Sequence, residues 1–124
     1  MSLVSPTNFL SSLRFAIQGV RHVFKHERNF RIHTIFALFA LFLAVLLRIS
    51  ITQWLFVITA IASVLVLEIV NSIFERLLDL VQPRAHHYVA AIKDLMAAAV
   101  VVASISALAV GLIIFLPLII LRLT

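Results

Sequence analysis

Cysteine is absent from the 124-residue chain, which excludes disulfides, thiol nucleophiles and thiolate metal sites. Glycine occurs twice and proline three times. That is too few for the many turns of a β-barrel, so helices are the expected way through a bilayer. Gly19 and Gly111 stand alone, and neither a Walker loop nor a dinucleotide fingerprint can be built around them. Charge is also scarce. Only 12% of residues are charged, with five Asp and Glu against ten Lys and Arg. No signal peptide is expected, since roughly thirty mixed residues precede the first apolar run and no small-residue cleavage site follows it.

What fills the chain instead is hydrocarbon. Hydrophobic residues make up 64% of it, where a soluble domain averages about 45–50% apolar and about 25% charged. A soluble fold of this length has one modest core and much surface, and cannot hide so many apolar side chains. The expected class is an all-α membrane protein, with an N-terminal amphipathic surface helix and three transmembrane helices. In so apolar a chain the net charge of +5 marks the cytoplasmic face of a membrane, and no nucleic-acid partner is expected.

Four segments follow from the pattern, and they read as one domain over residues 1–124. The first, 5–28, has Ser5 as N-cap and Pro6 at the first helical position. Phe9, Leu10, Leu13, Ala16, Ile17, Val20, Val23 and Phe24 fall in an arc of about 140°. Arg14, Gln18, Arg21, His22 and Lys25 lie opposite, as in an interfacial helix. Membrane helices are expected at 30–48, 52–80 and 88–122, joined by a short turn at Arg48 to Thr52 and a loop from Val81 to His87 that contains Pro83. Gly111 and Pro117 permit a mild kink in the last span. Eight basic residues fall on one side (Arg14, Arg21, Lys25, Arg28, Arg31, Arg76, Arg84, Lys93) and two on the other (Arg48, Arg122). By the positive-inside rule the N-terminus is cytoplasmic and the C-terminus outside.

The chemistry sits on the second span. Glu68, Asn71, Ser72, Glu75 and Asp79 fall within an arc of about 100°, and over about 16 Å of helix. A carboxylate in a bilayer costs at least several kcal/mol unless paired or solvated, so this face is expected to point into a polar cleft. Carboxylates at a membrane surface suit Mg²⁺, which binds one or two of them together with substrate phosphates. Lys93 adds a charge for a phosphate. Glu68 lies deepest, where a proton acceptor would meet a lipid hydroxyl. Phosphoryl transfer to a lipid alcohol uses such parts. A proton-coupled small-molecule transporter and a non-catalytic assembly factor use intramembrane carboxylates too, and the residues alone leave all three open.

The segment from Glu68 through Asn71, Ser72 and Glu75 to Asp79, followed by Lys93-Asp94, resembles the small bacterial lipid kinases, the prokaryotic diacylglycerol kinase and undecaprenol kinase family. The run Gly19-Val20-Arg21 and Glu27-Arg28-Asn29-Phe30-Arg31-Ile32-His33 is similar as well, and the resemblance extends from about Phe9 to Leu118. It implies an ATP-dependent kinase in the bacterial inner membrane, a homotrimer with active sites shared between protomers. Glu68 would be the catalytic base, and Glu27 and Glu75 would hold Mg²⁺. Glu27, Glu75, Asp79, Arg84, His86, Lys93 and Asp94 would contact ATP, and Asn71, Ser72, Arg21, Arg31 and Trp54 would orient groups or substrate. Arg84 stands where many members carry glutamate. The Asn29 to His33 run and the tail from Gly111 to Pro117 look more like the undecaprenol kinase branch, with diacylglycerol as the alternative substrate.

Smaller features complete the reading. Glu27 and Arg31 are spaced i, i+4 in the favourable order for an ion pair. His22 and His26 share that spacing, which can seat a metal given a third ligand; interfacial polarity accounts for them better. Trp54 is placed as an aromatic-belt residue near the outer boundary. The small residues Ala97, Ala98, Ala99, Ala103, Ser104, Ser106 and Ala107 permit close helix contact.

Overall fold

A computed structural model describes residues 6–81 and 86–124. Ser5, Pro83 and Arg84 lie outside the described residues, as does the side chain of His86. Four helices make up the described chain: α1 (Pro6–His26), α2 (Arg28–Leu46), α3 (Ile51–Val81) and α4 (His86–Leu123). The last three are long and apolar enough to cross a membrane. At 1.5 Å per residue, the 19 residues of α2 reach about 28 Å, close to one hydrocarbon core of about 30 Å. The 31 residues of α3 and 38 of α4 exceed it by about 15 Å or more, so both extend beyond the hydrocarbon into an interface.

The turn between α2 and α3 is built by two interlocking caps. Arg48 has φ 52°, the left-handed conformation that usually calls for glycine after a helix. The Arg48 N–H donates to the Val45 carbonyl and the Ile49 N–H to that of Ala44, both at 3.3 Å. This is the Schellman pattern, and the apolar contact it calls for is present, since Ala44 and Ile49 share one buried cluster. Two residues on, the Gln53 N–H donates to Ser50 Oγ at 3.2 Å, and the Ser50 N–H donates to Gln53 Oε1 at 3.0 Å. That reciprocal pair is a capping box, and it starts α3 at Ile51, not at Thr52 as expected.

The elbow between α1 and α2 turns on one residue. Glu27 is extended (φ −108°, ψ 110°) and its side chain makes no cap bond. Arg31 compensates by donating one guanidinium nitrogen to the carbonyls of Phe24 and Lys25, each at 2.9 Å, which satisfies orphan acceptors in the last turn of α1. The Arg31 guanidinium thus turns back to α1 and not to the Glu27 carboxylate, although the i, i+4 register persists, with the Arg31 N–H donating to the Glu27 carbonyl at 3.3 Å. Phe24 and Phe30 close the elbow edge to face, with ring centres 6.5 Å apart.

Packing is thin, as expected where lipid is the solvent. Ala44, Leu47, Ile49, Val57, Ile114 and Phe115 form a core around the α2–α3 turn. Phe9, Phe15, Phe36 and Phe39 stay largely exposed. Thr34, Ser63, Ser104 and Ser106 return their hydroxyl protons to carbonyls one turn back, so none brings an unpaired hydroxyl donor into hydrocarbon. The most extensive helix contact is α3 on α4, with α2 on α3 next, while α2 and α4 barely meet. Between them runs an apolar groove of about 570 Å³ from His33 to Ile119, with Ala40, Val64 and Phe115 in its wall. Helix α4 runs unbroken through Gly111 and Pro117.

Candidate active site

Glu68 lies seventeen residues into α3, about 26 Å from its N-terminal end and so near the far edge of a hydrocarbon layer of about 30 Å. Glu75 sits about 10 Å further along, past that edge. The head of the acidic stripe faces protein. Glu68 is 4% exposed and Ser72 2%, whereas Ile73, Phe74 and Leu77 on the same stretch are open.

Each member of the stripe meets a different partner. Glu68 Oε1 lies 2.9 Å from Nδ1 of His33 on α2. The separation is that of a hydrogen bond although its direction is off-axis, and the two buried atoms meet no better partner among the described residues. Ser72 Oγ donates to Glu27 Oε1 at 3.2 Å, so the elbow that turns α1 into α2 also delivers a carboxylate to the middle of α3. Asn71 Nδ2 donates to Glu75 Oε1 at 3.4 Å. At the bottom Lys93 Nζ, on α4, is 3.7 Å from Asp79 Oδ1. Glu27 and Glu75 both act electrostatically on Glu68, so the three carboxylates form one field.

This arrangement brings together Glu27, Glu68, Asn71, Ser72 and Glu75, with Asp79 and Lys93 below. The Lys93–Asp79 pair is solvent-open, 40% and 66% exposed, and such pairs contribute about 1 kcal/mol at most; an arriving phosphate would compete for that lysine. Asp94 is exposed. Other expected residues fall elsewhere. Trp54 packs against the core around the α2–α3 turn, fourteen residues and about 21 Å along α3 from Glu68. Arg31 is engaged at the elbow, and Arg21 is exposed on α1.

His33 was not among the expected site residues. The signal for it was an imidazole that, with Thr34, is the only polar side chain of α2 after Arg31, since an ionisable group at that depth needs a partner. His22 and His26 stack with ring centres 4.2 Å apart, and His26 Nδ1 lies 2.9 Å from the His22 carbonyl. Although exposed, His22 is held below the usual imidazole range, first by desolvation and then by the charges of Arg76 and His26. His22 thus adds little charge to a face whose other cations include Arg21 and Lys25.

No cluster of three or more His, Cys, Asp or Glu that could hold a metal occurs among the described residues. The donor set is two carboxylates, Glu27 and Glu75, beside neutral Ser72 and Asn71. That suits Mg²⁺, which takes part of its shell from substrate phosphates and water, and does not suit a metal held by protein alone.

The fold and site define a helical membrane protein with a line of carboxylates descending from a buried glutamate toward a lysine. Residues 14–115 match the model of the family described as Prokaryotic diacylglycerol kinase, and the chain belongs to that family. It is 33% identical over 109 residues to the Undecaprenol kinase of Bacillus subtilis (strain 168), a match covering 88% of this chain and 89% of that one. It is 36% identical over 111 residues to the Diacylglycerol kinase of Synechocystis sp. (strain ATCC 27184 / PCC 6803 / Kazusa), covering 89% of this chain but 63% of the relative's length. No solved structure matches significantly. Of the three classes that the residues left open, membership selects the lipid kinase, with ATP as the phosphoryl donor.

Proposed function

We propose that the chain phosphorylates undecaprenol to undecaprenyl phosphate at the cytoplasmic face of a bacterial inner membrane, with Glu68 as general base. The observation that carries this reading is the burial of Glu68 at the inner edge of the spans, at the head of a polar stripe that leads out of the hydrocarbon. An unpaired carboxylate there costs too much to be incidental. The apolar groove that ends at His33 supports a long hydrocarbon tail whose hydroxyl arrives beside Glu68.

Glu68 takes the hydroxyl proton as the lipid oxygen attacks the γ-phosphorus. The bond from that phosphorus to the β,γ-bridging oxygen breaks, and ADP leaves. Glu27 and Glu75 would hold Mg²⁺, whose contribution is to neutralise phosphate charge. Ser72 and Asn71 keep those two carboxylates in place through the hydrogen bonds described above. Lys93 leaves Asp79 for a phosphate oxygen, Asp79 and Asp94 line the nucleotide side, and the family resemblance assigns Arg84 and His86 to ATP as well. A homotrimer with shared sites would bring further groups to a stripe that a single chain leaves partly open.

Support for undecaprenol over diacylglycerol comes from the near end-to-end match with the relative named for that substrate. The slightly higher identity to the longer relative favours diacylglycerol as the second reading. Radiolabelled ATP supplied with each lipid in parallel detergent micelles tests both. Faster labelling of undecaprenol is expected; labelling of diacylglycerol alone would reverse the assignment, and labelling of neither would reject both.

A further inference from the structure

The proposed mechanism leaves His33 without a task. Its Nδ1 is buried against Glu68 Oε1 at 2.9 Å, while its ring edge also lines the inner end of the apolar groove. It comes from α2, whereas Glu68 and the rest of the stripe sit on α3. The carboxylates nearest to Glu68 are Glu27 and Glu75, both of which repel it. His33 is the one partner of opposite tendency that the described residues bring to it.

We infer that His33 is a positioning residue for the phosphoryl acceptor site: its Nδ1–H holds one oxygen of Glu68, so that the other faces the hydroxyl of the lipid alcohol entering along the groove. This rests on the kinase reading of Glu68 and adds to it. A carboxylate held at one oxygen loses rotamer freedom and presents a fixed acceptor, as the buried aspartate fixes the histidine of a serine-protease triad in the reverse sense. The link needs a nitrogen donor at the Nδ1 position and does not require His33 to gain or lose a proton during turnover. The fixed tautomer, with the proton on Nδ1, follows from the carboxylate opposite it.

Side-chain amides separate this role from simple packing. Asparagine can place an N–H near the Nδ1 position, glutamine places it near Nε2, and leucine offers none. With the full-length protein in micelles, His33→Leu is expected to lower kcat for the lipid alcohol about tenfold to a hundredfold, the effect of losing one hydrogen bond to a charged group. The KM for ATP should stay within about twofold, because the nucleotide side is untouched. His33→Asn should recover most of the lost kcat and His33→Gln should not. Equal activity in the Asn and Gln variants would overturn the inference. So would a loss confined to the ATP KM, or losses that track a fall in melting temperature across all three variants. Any of these results with an active wild-type protein leaves the kinase reading standing, whereas a wild-type protein that phosphorylates no lipid alcohol removes that reading itself.

Discussion

Replacing Glu68 by glutamine separates the chemistry of this site from its packing, because the amide has nearly the same shape and cannot take a proton. The Glu68 side chain is 5% exposed and has one close polar partner, His33 at 2.9 Å. An amide oxygen in the same place can still accept from His33 Nδ1, so the contact between α2 and α3 survives. A neutral group also needs no ion partner at that depth, and breaking even with a buried charge is common when the charge is imperfectly paired. The melting temperature of E68Q in micelles should therefore equal or exceed that of wild type. General bases contribute about 10² to 10⁴ in rate, or about 3 to 5 kcal/mol of barrier, and kcat for the lipid alcohol should fall by that factor. Nucleotide binding should persist, since Glu27, Glu75 and Lys93 are unchanged. Steady-state phosphorylation with radiolabelled ATP, read beside thermal unfolding of the same preparation, checks both halves. A kcat within about tenfold of wild type would refute the base assignment, and a clear drop in melting temperature would refute the packing argument.

Three further outcomes are expected. Glu75→Gln should shift the Mg²⁺ concentration for half-maximal rate upward by about tenfold or more, the cost of one carboxylate ligand; an unchanged Mg²⁺ titration would remove Glu75 from the metal site. Arg31→Ala should destabilise the protein by about 1–2 kcal/mol, because two carbonyls of α1 lose their donor, and should speed protease cleavage at the elbow near Glu27; wild-type resistance would mean the carbonyls find water at no cost. Because the chain lacks cysteine, Lys25→Cys and Leu123→Cys each carry a single thiol. In intact cells a membrane-impermeant maleimide should label the second and spare the first, and the opposite pattern would invert the proposed topology.

Much of this was legible in residue order, and for definite reasons. A bilayer requires runs of about 20 apolar residues, and three such runs are visible without any coordinates. The helical period places Glu68, Ser72 and Glu75 on one face, so the acidic stripe could be seen before its surroundings were known. The Ser50-x-x-Gln53 box and the left-handed Arg48 were harder to see, because neither glycine nor proline marks that turn. The direction of Arg31 was not legible, since its spacing from Glu27 allows an ion pair and only the chain break before α2 exposes the α1 carbonyls to which its guanidinium turns.

The sequence by itself determined what is local or periodic: the membrane class, the number of spans, the charge asymmetry and the shared face of the carboxylates. These depend on transfer free energy and on the 3.6-residue repeat, both of which act on neighbouring residues. Only the tertiary structure decided that His33 meets Glu68, that Ser72 reaches back to Glu27, and that Lys93 stands beside Asp79. Those contacts join residues on different helices, and their existence depends on how far each helix slides and rotates against the next. Apolar surfaces in lipid pack with little directional preference, so the pattern of apolar residues does not set that rotation. The polar pairs between helices become visible only once the helices are in contact.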